Sequence, residues 1–148
     1  MLNVHAAGGI QMMQAALEGV KEINEATKLI AVTQLTSTDQ KMLNHELYIQ
    51  GNINNAILAY AQNTYKAGLN GVVCSAHEVK MLKDNIGNEF QCITPGIRPR
   101  GIDSNDQKRV TTPLEAIQLG SDHMVIGRAI TQAESPREAF LKIIEDIS

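Results

Sequence analysis

From end to end, short runs rich in Val and Ile alternate with stretches whose apolar residues recur at helical spacing. The runs at Leu2–Ala6, Lys28–Gln34, Gly71–Cys74, Gln91–Thr94 and His123–Ile126 lack strict polar alternation, as parallel strands covered on both faces do. Between them Ile10, Met13, Leu17 and Val20 share one helical face, as do Ile53, Ile57, Tyr60 and Thr64; after the last run, Ala139, Ile143 and Ile147 do the same. Strict βα alternation demands right-handed crossovers and a parallel sheet, which leaves a doubly wound open sheet or a barrel. The 148 residues suit one domain, residues 1–148. They are too few for a complete eight-stranded barrel of ~250 residues. A barrel-derived chain of this length holds about five of eight α/β units, a partial barrel, and its first and last strands are open edges.

Helix starts and stops are written into the sequence independently of hydrophobicity. Ser75-Ala76-His77-Glu78, Thr112-Pro113-Leu114-Glu115 and Ser135-Pro136-Arg137-Glu138 have capping-box spacing, the last two with proline at the first helical position. Gly68 and Gly120 stand where helices should end in a left-handed residue. No linker, low-complexity tract or charge block interrupts the pattern.

Composition narrows the functional classes. A net charge of −3, 3% aromatic residues and no Trp supply neither the basic field nor the stacking platforms of a nucleic-acid partner. No apolar run approaches the ~20 residues of a membrane span, and the N-terminus lacks a signal-peptide pattern, so a cytoplasmic location is expected. Cys74 and Cys92 each sit in an apolar run without metal-ligand spacing and read as reduced core thiols. All five arginines, Arg98, Arg100, Arg109, Arg128 and Arg137, fall in the last third, and the guanidinium fork suits phosphate or carboxylate.

In either architecture ligands meet the C-terminal ends of the strands. His5–Gly9 reads most simply as a strand-to-helix turn with a packed His5. Gln34–Thr38 clusters hydroxyls and an amide; Thr38 fits a helix cap, and Thr36 fits a cap or a polar ligand edge equally well. Thr94-Pro95-Gly96-Ile97-Arg98 puts an arginine just past one strand, and Ile126-Gly127-Arg128 puts glycine and arginine past the next. Exposed backbone N–H groups and a guanidinium there can hold a phosphate. Between them Pro99–Val110 is long for a βα connection, as lids are. No strand end presents a Lys–Asp pair, a nucleophile with a base or a metal cluster; His5, His45, His77 and His123 are too scattered for a ligand motif. From the residues alone the chain supports phosphate binding and no reaction.

Taken together, VHAAGG at Val4–Gly9, IAVTQLTS at Ile30–Ser37, GLNGVVCSAHE at Gly68–Glu78, TPGIRP at Thr94–Pro99, NDQKRVTTP at Asn105–Pro113 and VIGRAIT at Val125–Thr131 resemble bacterial orotidine 5′-phosphate decarboxylase, in order and spacing. The resemblance implies a TIM barrel, usually a homodimer, that converts orotidine 5′-monophosphate to UMP and CO2 in pyrimidine synthesis without a cofactor. It implies that Thr36 contacts the pyrimidine, that Arg98 and Arg128 with the Gly127 backbone grip the 5′-phosphate, and that Gln107 lies on a mobile loop over base and phosphate. The family's catalytic Lys and Asp residues lie in a motif resembling D-x-K-x-x-D-I near its third strand, and this sequence resembles the family from its fourth strand onward. The expectation is therefore a pyrimidine- and phosphate-binding half, with no catalytic residue of its own and no activity alone. The alternatives are a non-catalytic partial barrel that at most binds phosphate ligands, and a related sugar-phosphate decarboxylase.

Overall fold

The computed structural model describes residues 1–99 and 111–148. Its frame is one parallel sheet of five strands: β1 (Leu2–His5), β2 (Leu29–Val32), β3 (Gly71–Val73), β4 (Gln91–Thr94) and β5 (His123–Met124), ordered as in the sequence. Each neighbouring pair is parallel, from Leu2 opposite Leu29 to Thr94 opposite Met124. Around it run α1 (Gly9–Ile23), α2 (Gln40–His45), α3 (Ile53–Lys66), α4 (Val79–Ile86), α5 (Pro113–Gln118), α6 (Arg128–Thr131) and α7 (Pro136–Ile147). Sequential parallel order with a helix after every strand is five of the eight βα units of a TIM barrel, a partial barrel as expected.

The helical faces read from the sequence are the ones that pack. Met13 and Leu17 of α1 are buried with Leu29 and Ala31 of β2, while Ile10, Val20 and Tyr60 lie against that cluster. Ile57 and Ala61 of α3 join Val72, Cys74, Val79, Leu82, Phe90 and Cys92 in a second. A third, smaller cluster of Ala76, Ile97 and Ala116 lies where the ends of β3 and β4 meet α5. Close strand packing explains Gly71: a Cβ there would overlap the Gln91 carbonyl oxygen across the β3–β4 pair. Gly68 and Gly120 do end helices at positive φ, 84° and 91°.

Several expectations need correction. β1 is not covered on both faces: with β2 as its one partner, Leu2 is 54% exposed and His5 is exposed rather than packed. The turn after it forms as expected, with Ala6 buried in a short 3-10 segment, Ala6–Gly8. Thr38 does not cap α2. Asp39, one residue on, does so, because α2 begins at Gln40 and Asp39 holds the extended N-cap backbone, its carboxylate accepting from Met42 N–H at 2.8 Å. Of the three capping boxes, Thr112–Glu115 forms in full. Ser75–Glu78 also has both arms of the box in place: the Ser75 N–H donates to Glu78 Oε2 at 2.9 Å, and the serine side chain faces the Glu78 N–H, too loosely placed for a hydrogen bond. Ser135 makes no side-chain cap bond; its ψ of 93° falls short of the 139° to 177° at Asp39, Asn52 and Thr112, where the side chain reaches the first-turn N–H groups.

Candidate functional site at the C-terminal ends of the strands

Parallel topology delivers the chain to the same edge of the sheet after every strand, and the described sequence-selected residues, Thr36, Arg98, Gly127 and Arg128, lie there. After β2, Thr33, Gln34 and Thr36 are buried, at 4%, 8% and 5% exposure. Thr33 is fixed to the neighbouring strand: its N–H and its hydroxyl both donate to Val73 O, at 3.2 and 3.0 Å. Arg98 follows β4, and Gly127 and Arg128 follow β5, its immediate neighbour in the sheet. At ~4.8 Å per strand, β2 and β5 stand ~14 Å apart, so the edge accommodates an elongated ligand with one end near Thr36 and the other between Arg98 and Arg128. Gln107 lies outside the described residues, as does the segment 100–110 within the candidate lid.

Arg98 is the electrostatic anomaly. It is 5% exposed; its Nη1 donates to Ile97 O at 2.9 Å, and its Nε has no hydrogen-bond partner. The ion pairs among the described residues, Lys80–Asp84 and Lys83–Asp122, do not include it. Removing a guanidinium from water without a counter-charge is costly, so such a group marks a place that an anion can complete. Arg128 is half-buried at the start of α6, directly after Gly127, an exposed glycine whose φ and ψ are −98° and −94°.

Ser75–His77 is a strand-end segment in the sequence as well, but no ligand role attaches to it there. Ser75, just past the end of β3 and hence between the Thr36 and Arg98 segments, is fully buried, and its hydroxyl makes no hydrogen bond among the described residues. Its position directly past a strand is legible in the sequence, whereas its capping-box spacing assigns that oxygen to the helix start.

Deeper in the sheet, Cys74 and Cys92 are buried and form no disulfide, in agreement with the reading as core thiols. The Cys92 thiol is held below its ordinary range chiefly by the hydrogen bond from Cys74, against the opposing effects of burial and of the Asp122 charge. Among the described residues no three His, Cys, Asp or Glu side chains gather as metal ligands, and no helix is long and apolar enough to cross a membrane.

A partial TIM barrel with hydroxyl and guanidinium groups along its C-terminal edge defines the class: a βα-barrel protein. The chain belongs to the orotidine 5′-phosphate decarboxylase / HUMPS family, whose model matches residues 1–143. It is 54% identical over 145 residues to orotidine 5′-phosphate decarboxylase of Staphylococcus aureus (strain Newman), covering 98% of this chain and 63% of that protein. Its backbone is similar to that of orotidine 5′-phosphate decarboxylase from Lactobacillus acidophilus, with a TM-score of 0.83 and 36% identity over 100% of this chain and 63% of the other. It is also similar to an uncharacterized conserved protein from Geobacillus kaustophilus, with a TM-score of 0.80 and 38% identity over 99% and 63%. The chain thus spans about 63% of the length of the curated relatives it matches.

Proposed function

We propose that this chain, as one domain, carries the pyrimidine- and phosphate-binding half of an orotidine 5′-phosphate decarboxylase, a cofactor-independent lyase of pyrimidine synthesis. The observation that carries the reading is the buried Arg98, which has no ion pair among the described residues, beside the Gly127–Arg128 strand end. In this reading Arg98, Arg128 and the Gly127 N–H hold the 5′-phosphate, Thr36 and the Ser75 hydroxyl face the pyrimidine, and Gln107 closes over both. Phosphate binding energy is then available for orienting the reacting base, although the phosphate itself does not react. The chemistry of decarboxylation needs a proton donor for the carbanion and carboxylates against the substrate carboxylate. None of the candidate residues is a lysine or an acid, so the proposal is binding without turnover by this chain alone. The family model also covers a second reading, a related sugar-phosphate enzyme, but the 54% identical relatives named as orotidine 5′-phosphate decarboxylases favour the nucleotide. In the cell the proposed setting is the cytoplasm and the proposed assembly a homodimer.

Calorimetric titration tests this reading. UMP should bind more tightly than ribose 5-phosphate, Arg98→Ala and Arg128→Ala should each weaken UMP at least tenfold, and orotidine 5′-monophosphate should bind without CO2 release. Equal affinity for both phosphates would favour the sugar-phosphate reading, and UMP affinity indifferent to both arginines would overturn the assigned grip.

A further inference from the structure

We infer that His77 is a positioning residue for Arg98, acting through Thr111. Among the described residues the Arg98 side chain has a single hydrogen bond, from Nη1 to Ile97 O, so the direction of its guanidinium follows the backbone at Ile97–Arg98. That backbone is clasped from outside: Arg98 N–H donates to Thr111 O at 3.0 Å, Thr111 N–H donates to Gly96 O at 3.3 Å, and Ile97 and Thr111 form an isolated parallel bridge. What Thr111 holds depends in turn on what holds Thr111. Its hydroxyl lies in hydrogen bond with His77 Nε2 at 3.2 Å.

His77 is well placed to be the fixed end. It sits in the 3-10 turn Ala76–Glu78 that follows β3, and this turn is tied down by the buried Ser75 N–H to Glu78 Oε2 bond. Its neighbour Ala76 is buried against Ile97, the residue that bridges to Thr111. Meanwhile the imidazole itself is exposed, whereas Thr111 is 3% and Ile97 0% exposed. An exposed side chain whose one described polar contact is a buried threonine hydroxyl contributes little to packing; its consequence is where that threonine, and with it the Arg98 backbone, comes to rest. The end of β3 thereby sets the aim of the arginine at the end of β4.

The functional weight of this arrangement rests on the reading of Arg98 as a phosphate-holding group, but the arrangement can be tested without ligand. In nitrogen-15-labelled protein the Arg98 Nε–H resonance, assigned by its loss in Arg98→Lys, should exchange slowly with water because it is buried. His77→Ala and Thr111→Val should each speed that exchange at least tenfold, while Thr111→Ser, which keeps the hydroxyl, should stay within twofold of the original protein. UMP affinity in the same samples should fall about three- to tenfold in the first two variants and hold in the third. Unchanged exchange in His77→Ala would overturn the inference, as would rapid exchange in the original protein or a Thr111→Ser that behaves like Thr111→Val. Should UMP leave Arg98 unperturbed while the exchange pattern holds, the phosphate reading falls and the positioning role stands.

Discussion

The β3–α4 unit and the β5–α7 unit are built from the same sequence pattern and reach different physical states. In the first, Val72, Cys74, Val79 and Leu82 are 0% to 1% exposed, and Phe90 and Cys92 close the cluster. In the second, β5 has only two residues, and Ala129 and Ile143 are the buried apolar side chains of α6 and α7, while Val125, Phe140, Leu141 and Ile144 are 41% to 50% exposed. Hydrophobic content does not separate the two. Among the described residues β3 pairs with β2 and β4, whereas β5 pairs with β4 alone. A βα unit makes a core when it has neighbours on both sides, and the proposed phosphate grip straddles the boundary, with Arg98 on the well-packed side and Arg128 on the thin one.

The contrast can be broken most forcefully at Leu82. Leu82→Ala empties a fully buried site in α4 and should cost about 2–5 kcal/mol, whereas Ile144→Ala in α7 should stay within about 0.5 kcal/mol. Urea unfolding of the two variants checks this, and similar midpoints would erase the distinction. Next comes the seam between the units. Asp122 accepts from Cys92 N–H at 2.7 Å and from Lys83 Nζ at 2.9 Å, joining β5 to β4 and α4. Asp122→Ala strands a buried N–H, and the expected loss is about 1–3 kcal/mol by the same measurement. The smallest effects compare two caps of similar sequence: Thr112→Ala should cost about 1 kcal/mol and Ser135→Ala less than about 0.5 kcal/mol, since only Thr112 holds its first turn. Equal melting shifts for the two would contradict the geometry of both helix starts.

Such pairs also show how far the sequence could be read. All five strands and the packing faces of α1, α3 and α7 were legible because periodicity records which side of an element meets the core. Periodicity does not record how many neighbours a strand has. This is why β1 proved exposed, and why the run through Ile126 shortened to a strand ending at Met124. Capping residues were visible as types, yet Thr38 against Asp39, and Ser135 against Thr112, were decided by where the helix starts and by backbone angles that no spacing encodes. In the site, Thr36, Arg98, Gly127 and Arg128 were found from position past a strand. Their candidacy came from topology, whereas the burial of Arg98 without an ion pair, and of the Ser75 hydroxyl without a hydrogen bond, among the described residues emerges only in three dimensions.

Amide hydrogen exchange, with and without UMP, tests the central claim most directly. Free protein should exchange slowly through β3 and α4 and faster through β5, α6 and Gly96–Arg98, because local opening follows the thinness of the packing. UMP should slow Gly96–Arg98 and Gly127–Arg128 and leave β3 and α4 nearly unchanged. Uniform protection in the free protein, or UMP protection that bypasses both arginine segments, would contradict the account.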